Sequence, residues 1–238
     1  MAIEEKRIEY KDSEGTVLEG LLCYPRGADT TCTIRKLPAV TVHHAFAGIT
    51  EFEEEKTRTL AELGYVAFAA DVYGKGIKGN TREECFALLK SMVDVRRGKL
   101  KDRLLAGLKI VLDLPYVDKD KVASIGFCFG GLCCLDLARY NAPVKGVVSY
   151  HGTLKSLEKI DPIPEDEKGP ILPSITVCHG DNLQQAKSPG FFTTRRQTND
   201  PGPRPLLSLM SSSIQNNVRN KNTVSNYFYI QNNINKVE

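Results

Sequence analysis

The chain has 238 residues, of which 41% are hydrophobic, enough to fill the core of one substantial domain. Its net charge of +3 comes from 32 basic and 29 acidic residues scattered in both signs, which argues against a nucleic-acid partner. No apolar run reaches the roughly 18 residues of a membrane span, and the charged start is unlike a signal peptide. We therefore expect a soluble, cytoplasmic protein with neither a nucleic-acid nor a membrane partner.

The cysteine content favours reduced thiols. Seven cysteines are odd in number and lie mostly in apolar segments, whereas a disulfide framework is typical of short secreted chains. The C-x4-C-C spacing that begins at Cys128 matches no zinc-finger pattern. We expect Cys133 and Cys134 to pack as small hydrophobic side chains of a helix.

Apolar runs alternate with helix-capping signals along most of the chain. Two β-rich segments around the turn sequence DSEG predict an opening hairpin. Thr50 with Glu53, and Thr81 with Glu84, have the spacing of a capping box and predict two helix starts. The predicted strands are 6–11, 17–24, 38–44, 65–74, 121–127, 144–152 and 171–180, and the predicted helices are 50–63, 82–92, 100–114 and 130–140, with a charged break at 96–99.

This alternation predicts an α/β protein with a doubly wound, mostly parallel sheet flanked by helices. Beyond Asp181 the composition shifts to Asn, Ser, Gln and Pro without sustained periodicity. We therefore predict one α/β domain over residues 1–181 and a poorly ordered tail over 182–238.

The segment GFCFGG, residues 126–131, has the pattern of a nucleophile elbow with cysteine in the serine position. In such an elbow the nucleophile occupies a sharp strand-to-helix turn, so its neighbours two positions away must lack bulky side chains. Gly126 and Gly130 satisfy this requirement. The N-terminus of the following helix would favour ionisation of the Cys128 thiol. The alternative is that the glycines only allow close packing around a buried cysteine.

A second motif, Gly74, Gly76 and Gly79, matches the dinucleotide fingerprint G-x-G-x-x-G after a predicted strand. The acidic residue that should close a second strand about 20 residues later is absent, because that segment is helical and heavily charged. A flexible loop is the preferred interpretation, and a nucleotide-binding dehydrogenase is a third candidate function.

None of the histidines is clearly a base. His43 and His44 end a strand, where one could face a cleft, although structural histidines are commoner. His151 and His179 precede glycines at the carboxyl ends of strands, where α/β sheets place ligands, and turn hydrogen bonding explains them equally well. The acidic pairs Glu53 to Glu55 and Glu83 to Glu84 fit solvent-exposed first turns of helices and receive no chemical role.

Over about residues 5–181 the sequence resembles the dienelactone hydrolase family of the α/β-hydrolase fold. The resemblance is carried by HAFAG (44–48), LAELGYVAFAADVYGKG (60–76), DRLLAGL (102–108), IGFCFGG (125–131), VVSYHG (147–152) and VCHGD (177–181). Members of the family hydrolyse esters and lactones through a Cys, His, Asp triad without metal or organic cofactor. The resemblance thus implies a small ester or lactone as the partner; it leaves the oligomeric state open.

The resemblance also implies roles for particular residues. Cys128 would be the nucleophile, and the backbone N–H of Phe129, with one from Ala45 or Phe46, would form the oxyanion hole. Ala45 replaces a glutamate that partners the resting thiol in the founding enzymes. Arg103 could approach a substrate carboxylate, although a surface role is preferred. His151 is a further candidate for substrate contact.

The end of the matched region departs from the family pattern H-G-x-x-D, whose aspartate is the triad acid. Leu183 stands at that position, and no histidine follows His179. Asp181 is a candidate substitute acid, and His151 or His44 a candidate substitute base. We expect impaired turnover and the loss of the last strand and helix of the fold. The alternative function is a non-catalytic binding or redox-sensing protein that retains the elbow thiol.

Overall fold

A computed structural model of the chain describes residues 2–29, 36–153 and 174–178, the last of these as backbone only. All of them fall within the unit Met1–Thr194. The strands are β1 (Ile3–Lys11), β2 (Val17–Pro25), β3 (Leu37–His43), β4 (Val66–Ala70), β5 (Val117–Phe127), β6 (Gly146–Tyr150) and β7 (Ser174–Cys178). The helices are α1 (Glu51–Glu62), α2 (Arg82–Val93), α3 (Lys101–Leu112) and α4 (Phe129–Arg139). The predicted boundary at residue 181, the tail and the loss of the last strand and helix lie outside the described residues.

The described strands form one sheet in the order β1-β2-β4-β3-β5-β6-β7. β1 pairs with β2 and β2 with β4 in antiparallel orientation, and the remaining pairs are parallel. The predicted α/β class and mostly parallel sheet are therefore confirmed. The carboxyl ends of β3, β4, β5 and β6 meet at one edge, which is where open α/β sheets bind ligands.

Both faces of the sheet are covered, because side chains alternate along each strand. On β2, Leu18 and Leu22 belong to the larger core, which also contains Leu104 of α3 and Leu137 of α4. Leu21 of the same strand belongs instead to a smaller core on the opposite face with Ala61 of α1. No helix of the described residues is long and apolar enough to cross a membrane.

Both predicted capping boxes are present, at Thr50 with Glu53 and at Thr81 with Glu84. The predicted charged break is instead a π-helical turn, Arg96–Leu100, that leads directly into α3. Arg96 is buried there and forms an ion pair with Asp136 of α4. A charged sequence in this turn thus links two helices, which its composition alone did not indicate.

Candidate active site

Cys128 occupies a sharp bend between the end of β5 and the start of α4, with φ 54° and ψ −113°. A positive φ at a residue with a Cβ is strained, by roughly 1–3 kcal/mol, and such strain clusters at functional sites. A Cβ added to Gly126 would lie 2.0 Å from the carbonyl oxygen of Gly130, and one added to Gly130 would lie 2.1 Å from that of His43. The bend therefore requires both glycines, as the elbow motif predicts.

Cys128 is partly exposed. Burial raises the pKa of its thiol, and the nearby backbone N–H of Phe129 lowers this pKa only in part. The prediction that the helix N-terminus makes the thiol ionise more readily is therefore wrong in direction, since desolvation outweighs the nearby donor. At neutral pH the resting group is a thiol that must lose its proton before it can attack.

The Ala45 N–H, one of the two alternatives for the second oxyanion donor, is already engaged. It donates to Oε1 of Glu53 at 3.1 Å, so the prediction for Ala45 is wrong. The N–H of Phe46 meets no acceptor among the described residues. The Ala45 carbonyl belongs to the same peptide group as this N–H, and it accepts a hydrogen bond from Nδ1 of His44 at 2.7 Å. This hydrogen bond fixes the direction of the Phe46 N–H.

Glu53 is buried, with 1% of its surface exposed, so the predicted solvent exposure of this acid is wrong; Glu54 is buried too. The second carboxylate oxygen of Glu53 accepts from the backbone N–H of Thr50 at 2.9 Å and from its hydroxyl. One carboxylate therefore caps α1 and holds the loop that leads from β3 to it. Glu83 and Glu84 are exposed, as predicted.

Both histidines at the end of β3 are buried, and neither is available as a base. The N–H of Val72 donates to Nε2 of His44 at 3.3 Å, so the ring is neutral and carries its proton on Nδ1, facing Ala45. Nε2 of His43 lies 3.3 Å from the Thr41 hydroxyl. Burial, reinforced by the neighbouring His44, lowers the pKa of His43 to about 3. Both are therefore structural, which settles the question left open by the sequence.

Arg103 is buried inside the fold, with 2% of its surface exposed. Its Nε donates to Asp12 at 2.9 Å, and one terminal nitrogen donates to the carbonyls of Val72 and Tyr73 at 2.8 Å each. The preferred surface role is therefore wrong, because this guanidinium is committed to the loop after β4. The same contacts exclude the alternative role, in which Arg103 meets a substrate carboxylate.

Two of the three glycines in the loop after β4 have N–H groups that are already engaged. The Gly74 N–H donates to both carboxylate oxygens of Asp71, at 3.2 and 3.1 Å, and the Gly79 N–H donates to the carbonyl of Ala47 at 3.0 Å. A dinucleotide site would use such donors itself. This arrangement disfavours the nucleotide-binding interpretation of the motif, and the loop is held by hydrogen bonds at both ends.

Tyr73 connects this loop to the elbow, a role that sequence reasoning missed because a tyrosine in an apolar run indicates only a core position. Its ring stacks on Phe129 at a centroid distance of 5.8 Å and lies 4.7 Å from the ring of His44. Its hydroxyl donates to the Phe46 carbonyl at 3.0 Å. Burial, with the nearby thiols Cys133, Cys85 and Cys128, raises the pKa of Tyr73, so the phenol stays a donor.

The end of β6 lies directly beside the elbow. The N–H of Cys128 donates to the carbonyl of Tyr150 at 3.0 Å, and His151, the next residue, has φ 41°. The candidate acid Asp181, and His179, lie outside the described residues. Among those described, no group of three or more His, Cys, Asp or Glu side chains could hold a metal ion.

A mostly parallel sheet with a cysteine on a strained strand-to-helix bend defines an α/β-hydrolase architecture. The model of the dienelactone hydrolase family matches residues 19–191, and the chain belongs to that family.

Relatives and solved structures agree with this assignment. An uncharacterized Caenorhabditis elegans protein is 46% identical over 91 residues, 38% of this chain and 54% of that protein. A Yersinia pestis protein provisionally named carboxymethylenebutenolidase is 27% identical over 150 residues, 59% of this chain and 51% of that protein. The chain thus spans about half the length of these relatives.

Two solved structures are each 31% identical to the chain and cover 76% of it and 70% of their own length. One, m3DLH, has a TM-score of 0.65. The other, with a TM-score of 0.64, is a dienelactone hydrolase-like promiscuous phosphotriesterase, P91, from metagenomic libraries.

Proposed function

We propose that the chain acts on carboxylic esters or lactones through Cys128 as nucleophile, without a cofactor. The observation that carries the proposal is the strained elbow at Cys128, whose φ of 54° is kept by glycines that tolerate no Cβ. A bend of this kind presents the sulfur at the ligand-binding edge of the sheet. A core cysteine would require neither the strain nor the two glycines.

The groups that the first half-reaction needs are the sulfur of Cys128 and two backbone N–H donors. The sulfur attacks the acyl carbon, and the carbonyl oxygen becomes an oxyanion that accepts from the N–H groups of Phe129 and Phe46. The C–O bond to the leaving group then breaks, which releases an alcohol and leaves a thioester on Cys128. In a lactone the released hydroxyl stays on the same acyl chain.

The second half-reaction is the weak step. Hydrolysis of the thioester needs a base that is held in place by an acid to activate water, and this sequence carries Leu183 at the family's acid position and no histidine after His179. We therefore expect acylation to be faster than deacylation. The proposed behaviour is rapid release of one equivalent of product followed by slow turnover.

Rapid-mixing kinetics with p-nitrophenyl acetate test this function. The expected trace is a burst equal to the concentration of enzyme, followed by a slow phase, with no burst in Cys128→Ala. Cys134→Ala is the matched control, since Cys134 is a buried thiol of the same helix and should leave the burst intact. A burst that survives in Cys128→Ala would contradict the proposal.

A non-catalytic binding or redox-sensing role for Cys128 is the other candidate. Redox-sensing cysteines have a low pKa and an exposed sulfur, whereas burial raises the pKa of Cys128. This difference favours a nucleophile that is deprotonated during attack. Reversible oxidation of Cys128 by dilute peroxide without any ester burst would favour the sensor instead.

A further inference from the structure

We infer that His151, at the end of β6, is the proton acceptor for Cys128, a role that rests on the proposed function. The proton of the thiol moves to the imidazole as the sulfur attacks the acyl carbon. The imidazolium then returns it to the leaving oxygen when the C–O bond breaks. This histidine lies on a different element from the family's triad histidine, which follows the last matched strand.

The backbones of Cys128 and His151 lie close together. The Cys128 N–H donates to the Tyr150 carbonyl at 3.0 Å, and peptide geometry then places the Cα of His151 within about 6 Å of the Cys128 nitrogen. The two residues follow neighbouring parallel strands, whose carboxyl ends share one edge of the sheet. His151 is partly exposed at this edge, as Cys128 is.

The backbone at His151 is strained. Its φ of 41° is in the left-handed region, as is that of Cys128, and Asn141 is the third described non-glycine residue with a positive φ. The backbone cannot relax, because the next residue, Gly152, packs against α4: an added Cβ would lie 2.7 Å from the backbone of Gly131. A strained residue that directly follows the hydrogen-bond partner of another strained residue is unexpected in a turn that only connects elements.

The other described histidines, His43 and His44, do not serve as proton acceptors. His43 is buried in the core, and both ring nitrogens of His44 are engaged by backbone groups. A proton acceptor for a thiol at neutral pH is best supplied by an imidazole. Of the described histidines, His151 alone stands at the ligand-binding edge without being buried.

Alkylation of Cys128 by iodoacetamide tests this role without an ester, with the Cys128 peptide followed by mass spectrometry at neutral pH. His151→Asn removes the imidazole and keeps a side chain that tolerates a left-handed φ. We expect alkylation to slow by about tenfold or more in this variant. In His151→Gly, added free imidazole should restore the rate, while Asn141→Gly should alkylate as the wild type does.

Equal alkylation rates in the wild type and His151→Asn, with no effect of imidazole, would overturn the role of His151. A decrease of the alkylation rate in Asn141→Gly as large as that in His151→Asn would also overturn this role, because it would attribute the decrease to a change in backbone strain and not to the imidazole. The ester burst separates the two proposals. An intact burst in both His151 variants removes the proton acceptor and keeps the nucleophile, whereas no burst in the wild type removes the proposed function and, with it, the role of His151 in acyl transfer.

Discussion

The Nδ1 of His44 lies 2.7 Å from the carbonyl oxygen of Ala45. This carbonyl and the Phe46 N–H belong to the same peptide group and point in opposite directions. His44 is in turn oriented by the Val72 N–H, which donates to its Nε2. The loop from β3 and the loop from β4 are therefore coupled through one neutral imidazole. Its tautomer sets the direction of the proposed oxyanion donor.

Substitution of His44 should change the rate of acylation. His44→Asn keeps a donor close to the position of Nδ1, which contacts the Ala45 carbonyl. His44→Gln keeps a polar group only near the position of Nε2, which contacts the Val72 N–H. Loss of a whole oxyanion donor costs about 10²–10³ in rate, so a misdirected donor in His44→Gln should cost roughly tenfold, and His44→Asn should lose less. Burst rates with p-nitrophenyl acetate measure the difference; equal rates in both variants would remove the positioning role.

Gly130→Ala should destabilise the fold. The added Cβ would lie 2.1 Å from the carbonyl oxygen of His43, a backbone atom that cannot rotate away, so we expect a loss of about 3 kcal/mol in the free energy of unfolding. Gly98→Ala is the control, because nothing lies within 4 Å of its added Cβ. Urea titration should show Gly98→Ala to be as stable as the wild type. Comparable midpoints for Gly98→Ala and Gly130→Ala would refute the claim that close packing requires Gly130.

Arg103→Met should be strongly destabilising, because it leaves the Asp12 carboxylate buried without its cation and removes the donor to two loop carbonyls. Breaking one partner of a buried ion pair costs about 3–5 kcal/mol. Lys109→Ala on the same helix removes an exposed ion pair with Asp113 and should change stability by less than about 0.5 kcal/mol. Thermal unfolding of both variants checks this contrast, and similar losses would contradict the structural role of Arg103.

The buried His43 predicts acid sensitivity. Its pKa falls from 6.5 to about 3 in the folded chain, so between these values the unfolded state binds the proton and the folded state does not. Stability should therefore decrease as the pH falls through this window, by roughly 1.4 kcal/mol per pH unit, and be unaffected above it. His43→Gln should show a shallower decline in urea titrations from pH 7 to pH 4; parallel profiles would refute this assignment.

The sequence predicted the elements well where local signals and packing agree. The Thr50 and Thr81 capping boxes mark helix starts that tertiary contacts also favour, and GFCFGG combines a strand end, a required absence of side chains and a helix start. Each of these signals lies within a few neighbouring residues. Local sterics dictate the geometry of these segments, so a single sequence is enough to predict it.

The positions of charged groups could not be predicted in the same way. Arg103 meets Asp12 from 91 residues away, so nothing in its own helix distinguishes it from a surface arginine. Glu53 follows the rule for a capping residue, yet its other oxygen accepts from the N–H of Ala45, eight residues earlier in the chain. The pKa of Cys128 depended on the balance between burial and a helix N-terminus, and burial is a property of the assembled fold.

The most direct measurement of the central claim is peptide mass spectrometry of the chain quenched in acid within seconds of mixing with p-nitrophenyl acetate. The nucleophile assigned to the elbow predicts an acetyl group on the peptide that contains Cys128, lost slowly on further incubation and absent after prior alkylation of that thiol. Acetylation distributed over lysines, with an unmodified Cys128, would contradict the assignment.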